Sequence, residues 1–130
     1  MKVRLIKSDK SLRKEDYNLI KDFIKFLYQE IPLKNDIIIC CLSERVPNMT
    51  TGNSIPKHNI INVLTNNRLN RDILRTIAHE WVHEYQINSL NREIGKQIGG
   101  RNEDEANAKS GALVKKFEFQ FPQKNKVLYE

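Results

Sequence analysis

Apolar residues recur along this chain in two rhythms. Between Leu12 and Ile31, the positions Leu12, Leu19, Ile20, Phe23, Ile24, Phe26, Leu27 and Ile31 fall on three- and four-residue spacings. That is the signature of one amphipathic helix. Asp9 or Ser11 is placed to cap its start, and Pro32 closes it. The block Ile37-Ile38-Ile39-Cys40-Cys41-Leu42 is short, continuous and rich in β-branched residues, which predicts a strand covered on both faces. Between Val46 and Lys57, two prolines, Gly52 and several Asn, Ser and Thr residues mark turns, with room for a short strand at Met49–Thr51. A further strand is predicted over His58–Thr65, ended by Asn66-Asn67.

The helical period then returns. Ile73, Ile77 and Trp81 form one row, and Leu74, Ala78, Val82 and Tyr85 an adjoining one, giving a helix from about Arg68 or Arg71 to about Ile87. Gly95, Gly99 and Gly100 make Asn88–Gly100 a loop. A last helix is predicted to begin near Asn102, a good N-cap, with Ala106, Ser110, Leu113, Val114 and Phe117 on one face. Beyond Lys116, Phe117-Glu118-Phe119-Gln120-Phe121 alternates with period two, which predicts an extended tail over residues 118–130. The expected architecture is α+β: a small mixed sheet of about three strands, a backing N-terminal helix and two further helices.

Composition narrows the possibilities. A chain of 130 residues is too short for two domains, so residues 1–130 are expected to form one. The 22 Lys+Arg against 16 Asp+Glu leave a net charge of +6, which permits a nucleic-acid partner. The basic residues are spread along the whole chain, however, and a nucleic-acid role is not the expectation. The longest apolar run, Ile37 to Leu42, is six residues, whereas a spanning helix takes about 20, so no membrane partner is expected. No apolar stretch follows Lys2, Arg4 and Lys7, and a cytoplasmic, monomeric protein is the default reading. Cys40 and Cys41 are sequence neighbours whose mutual disulfide would be badly strained, and they read as buried, reduced thiols.

The chemistry concentrates on the second long helix, at His79-Glu80-Trp81-Val82-His83. Two histidines four apart on a helix stack one turn above the other, so both imidazoles can reach one zinc ion, with Glu80 beside the same face. The plainer alternative is a pair of ordinary histidines on a charged stripe with Glu80 and Glu84. Against it, two of only three histidines fall at ligand spacing on a strongly apolar helix. A catalytic zinc takes three protein ligands, and the third could be His58, Glu84, Glu93, Glu103, Asp104 or Glu105. Glu84 points about 100° away from His83 around the helix, and His58 lies before or within the preceding strand. Glu103 opens the last helix after a loop long enough to fold that helix back, and the small Ala106 and Ser110 on its face allow close approach. Glu105 points roughly 200° away and lines up with Lys109 as a solvent-facing pair. Glu103 is therefore the expected ligand, with Glu105 and the other groups as alternatives. Acids in a first turn also suit the helix macrodipole, with Glu105 and Asn102 in a capping box.

The two motifs, His79-Glu80-Trp81-Val82-His83 and then Glu103-Asp104-Glu105-Ala106-Asn107 twenty residues on, resemble the gluzincin metallopeptidases. The similarity is greatest to their minimal, single-subdomain members (minigluzincins) and to the ImmA/IrrE type, and it covers Thr76 to Phe117. It implies a zincin-like fold, Glu103 as the third ligand of Zn2+, and Asn107 as the residue supporting a zinc-binding histidine. Asn107 stands where many gluzincins carry Asp, and no larger C-terminal subdomain follows to supply an oxyanion donor. Thr76 to Gln86 also looks like SprT-type proteases, which act near DNA but use a third, downstream histidine; no histidine follows His83.

The implied function is a zinc-dependent metallopeptidase acting on a peptide or protein substrate, with Glu80 as general base and acid through a zinc-activated water. Strand His58–Thr65 is the expected edge for an extended peptide. Tyr129, His58 and Arg101 are the nameable oxyanion candidates, and Trp81 reads as core. Two other functions stay open: a catalytically weak zinc-binding regulatory or interaction module, and an SprT-like protease acting on DNA-bound proteins. The tail Phe117–Glu130 could also lie across the cleft as a latch, with the Glu130 carboxylate near zinc.

Overall fold

The chain opens with a strand that its apolar rhythm does not announce. In the computed structural model, which describes residues 2–92 and 100–129, Val3–Lys7 forms β1. Arg4 and Lys7 interrupt its apolar pattern, the charge decoration by which edge strands avoid unwanted pairing. Helix α1 (Lys14–Glu30) crosses over to β2 (Ile37–Leu42), which pairs parallel to β1 with Ile39 opposite Leu5. The start of α1 is not capped by Asp9 or Ser11. Arg13 is the cap residue, and the Asp16 carboxylate accepts from its backbone N–H at 3.0 Å. Asp9 is buried elsewhere, accepting from the Ser11 hydroxyl at 2.6 Å and from the Thr65 hydroxyl.

The second half of the sheet is a hairpin. Strand β3 (Gly52–Ile55) turns through Pro56–His58 and a left-handed Asn59 into β4 (Ile60–Leu64), with Ser54 opposite Ile61. β4 pairs parallel to β2, so the order is β1-β2-β4-β3: a mixed sheet of four strands rather than three. β3 lies after the expected Met49–Thr51, and β4 is an interior strand, not the edge expected over His58–Thr65. β2 is also not covered on both faces. Ile37, Ile39 and Cys41 enter the core, while Ile38, Cys40 and Leu42 stay partly exposed. Both cysteines are free thiols, with Cys41 buried and Cys40 half-buried.

Helix α2 (Asn70–Glu84) continues as a wide π turn over Tyr85–Ser89. Trp81 is fully buried and donates its indole N–H to the Ile31 carbonyl at 2.8 Å, tying α2 to the end of α1. Helix α3 (Arg101–Gln120) has Gly100, not Asn102, at its N-cap. Its Phe117 meets Phe23 and Phe26 of α1 edge-on, with ring centroids 5.1 and 5.4 Å apart.

The tail is helical where extended backbone was expected. α3 runs on to Gln120, and after a turn at Pro122–Lys124 a short α4 (Asn125–Leu128) follows. Period two and the four-residue helical spacing both put Phe117 and Phe121 on one side; Phe119 separates the two. It is 89% exposed while Phe117 is fully buried, as a helix requires. Leu128 is buried in the core, and Asn70 donates to the Val127 carbonyl at 2.9 Å. Lys124 pairs with Asp22 of α1 at 2.6 Å, so the tail seats on α1 and the start of α2 and does not line the cleft described below. Glu130 lies outside the described residues. Among the described residues, no helix is long and apolar enough to cross a membrane.

Candidate metal centre

His79 and His83 stand one turn apart on α2, half-buried, with ring centroids 4.7 Å apart and their Nε2 atoms 3.1 Å apart. Glu103, in the first turn of α3, spans both: Oε1 is 2.7 Å from His79 Nε2 and Oε2 is 3.1 Å from His83 Nε2. The three groups bring one ligand atom each to within 4.8 Å of one another, the cluster of this kind among the described residues. The other carboxylates weighed for the third position go elsewhere. Glu84 is buried against β3, accepting from Ser54 at 3.0 Å and from Asn88 at 2.8 Å. Glu105 is half-buried rather than solvent-facing: it meets Arg92 at 3.1 Å and Lys109 at 3.8 Å. Neither Asp104 nor His58 lines the cleft, and Glu93 lies outside the described residues.

Gln86 decides the state of His83. Its Nε2 donates to the Asn102 carbonyl at 2.9 Å, an oxygen that can only accept, and approaches Glu105 Oε1 at 3.3 Å. The amide oxygen of this fully buried side chain therefore faces His83 Nδ1, at 2.9 Å. In the neutral ring Nδ1 therefore carries the proton and Nε2 the lone pair, aimed at Glu103 and His79. Sequence reasoning missed Gln86; its one signal is a position three residues beyond the second histidine. Asn107 lines the same cleft one turn after Glu103, but it is exposed and holds neither imidazole among the described hydrogen bonds.

Burial lowers the pKa of His79, with His83 adding to the effect and Glu103 opposing it, so His79 is neutral near pH 7. His79 Nε2, His83 Nε2 and the two Glu103 carboxylate oxygens thus converge as lone-pair donors on one point. The donor set fits a divalent cation. Two tetrahedral nitrogen ligands at zinc distance would lie about 3.3 Å apart, close to the spacing of the two Nε2 atoms.

Glu80 sits beside this cluster, 6% exposed, and its buried Oε2 has no hydrogen-bond partner among the described residues. Burial, then the charges of Glu103 and Glu84, push its pKa up to about 8. The groups open onto a cleft of about 490 Å3 with α2 as floor, α3 as one wall and the start of β3 as the other. β3 can come this close because residue 52 is glycine: a Cβ there would stand 2.5 Å from Thr76 Cγ2 and 3.3 Å from Glu80 Cγ. Tyr129, His58 and Arg101 do not line the cleft, whereas Arg68 and Arg75 do. Compared with known proteins, the chain matches no family model, no curated protein and no solved structure.

Proposed function

We propose that this protein is a zinc-dependent metallopeptidase of the zincin-like, gluzincin type, with Zn2+ held by His79, His83 and Glu103. The observation that carries this reading is the convergence of those three groups beside a buried carboxyl oxygen, Glu80 Oε2, that has no partner among the described residues. When bound there, zinc supplies Lewis acidity, polarising a peptide carbonyl and bringing the pKa of a water towards about 7.

The chain's own residues account for the rest. Gln86 keeps His83 in the tautomer a metal ligand requires. Glu80, whose carboxylate form is favoured whenever positive charge occupies the triad, takes the proton of the attacking water and delivers it to the leaving amine. The outer edge of β3 is unpaired in the sheet order and starts beside Glu80, so it is the edge that aligns an extended substrate by main-chain hydrogen bonds.

Metal analysis of protein purified without added zinc tests the reading. Stoichiometric zinc is expected in the wild type and little in Glu103→Ala. Glu80→Gln should keep its zinc while hydrolysis of unfolded casein falls by about 10²–10⁴-fold. A folded wild-type sample that refuses zinc would refute the proposal.

A further inference from the structure

Two arginines occupy one end of the cleft, without a carboxylate partner among the described residues. Arg68 is half-buried and held on neutral acceptors, with Nη1 donating to the Leu64 carbonyl at 2.8 Å and Nη2 to the Asp72 carbonyl at 3.2 Å and Thr76 Oγ1 at 2.9 Å. A guanidinium has five N–H donors, so Nε and one Nη1 hydrogen remain. Burial disfavours its charge, and Asp72 offsets this only in part. Arg75 is exposed, one turn before His79, and close enough to lower that histidine's pKa. Among the described residues, neither arginine has a carboxylate within ion-pairing distance, and Arg68 keeps unused donors in a partly desolvated position.

The direction of the cleft says what would reach them. Gly52 lies against Thr76 and Glu80, and Ser54 bonds Glu84, so β3 runs alongside α2 in the same sense. A peptide pairing antiparallel to β3 therefore sends its C-terminal side towards Thr50, Thr51 and the two arginines, which line that end. Thr76, the partner of Arg68, is one turn or about 6 Å from Glu80 along the helix. An extended chain advances about 3.3 Å per residue, which makes the offset about two residues.

We propose that Arg68 and Arg75 form a carboxylate-reading subsite about two residues C-terminal to the peptide carbonyl placed at Glu80. The group read is either a free C-terminus or an Asp or Glu side chain. The placement of that carbonyl rests on the metallopeptidase reading above; the anion preference does not.

The test is nuclear magnetic resonance of the Arg68 and Arg75 Nε–Hε signals, in zinc-free and zinc-supplemented protein, on titration with three probes. These are acetyl-Ala-Ala as its free acid, the same dipeptide as its amide, and acetyl-Ala-Asp amide. The free acid is expected to shift both signals and to bind about 10-fold or more tightly than the amide. A response to the aspartyl amide as well shows that the subsite reads side-chain and terminal carboxylates alike; a response to the free acid alone assigns it to chain termini. Arg75→Gln, a change at an exposed position, should remove most of the acid-over-amide difference. Equal responses to acid and amide overturn the proposal, as does an Arg75→Gln variant that discriminates like wild type. Zinc titration followed on the His79 and His83 ring signals separates the two readings. No response there would sink the metal site, while the acid-versus-amide comparison still decides the subsite.

Discussion

Gln86 holds His83 Nδ1 at 2.9 Å and is itself oriented by the Asn102 carbonyl. One buried amide therefore connects the backbone at the start of α3 to the protonation of an imidazole on α2. Replacing Gln86 with Leu keeps similar volume but removes the acceptor. Zinc affinity, measured by competition with a chromophoric chelator, is expected to fall about 10–100-fold. Unchanged affinity would show that the tautomer is set by something else.

Gly52 is the close approach between β3 and the helix bearing both histidines. Gly52→Ala places a methyl 2.5 Å from Thr76 Cγ2, and a loss of about 1–3 kcal/mol in a denaturant titration is expected. Thr76→Ser removes that methyl and retains the hydroxyl that Arg68 bonds. The double variant should recover a large part of the loss, and strict additivity of the two changes would count against this contact.

Glu80 makes the stability of the metal-free protein depend on pH. Its folded pKa of about 8 lies above the ordinary 4.5, so between these values the folded state holds a proton that the unfolded chain has released. Stability from this group is complete below about pH 4.5 and is lost as pH rises through about 8, on the order of a few kcal/mol. Glu84, also raised by burial, acts in the same direction. Thermal melts of metal-free protein from pH 5 to 9 should show a falling midpoint that is markedly flatter in Glu80→Gln. Wild-type and variant curves of equal slope would contradict the burial of this carboxyl.

The helical tail is tested by two phenylalanines. Phe117 is fully buried and Phe119 is 89% exposed. Phe117→Ala is expected to cost about 3–5 kcal/mol, and Phe119→Ser to stay within about 0.5 kcal/mol. Comparable losses at the two positions would point back to an extended strand.

Much of the candidate site is legible in the chain. His79 and His83 share a face because both lie on one helix, and its apolar rows, Ile73-Ile77-Trp81 and Leu74-Ala78-Val82, mark that helix clearly. The edge strand is not legible in the sequence because β3, Gly-Asn-Ser-Ile, carries almost no apolar alternation and exists through its pairing with β4. The tail is ambiguous in sequence because Phe117 and Phe121 satisfy two periods at once. Asp9 looked like a helix cap because its partner, Thr65, is brought to it only by the sheet.

Spacing within a single helix is set by backbone geometry, and so the two imidazoles, their common face and the carboxyl of Glu80 beside them follow from residue order alone. Which distant group completes the set does not. Residue order favours Glu103 without excluding Glu105 and the other groups; the packing of α3 against α2 is what brings Glu103 to both imidazoles, and Gln86 and Gly52 take their roles from contacts between separate elements. Those contacts depend on long-range packing, which local periodicity does not encode.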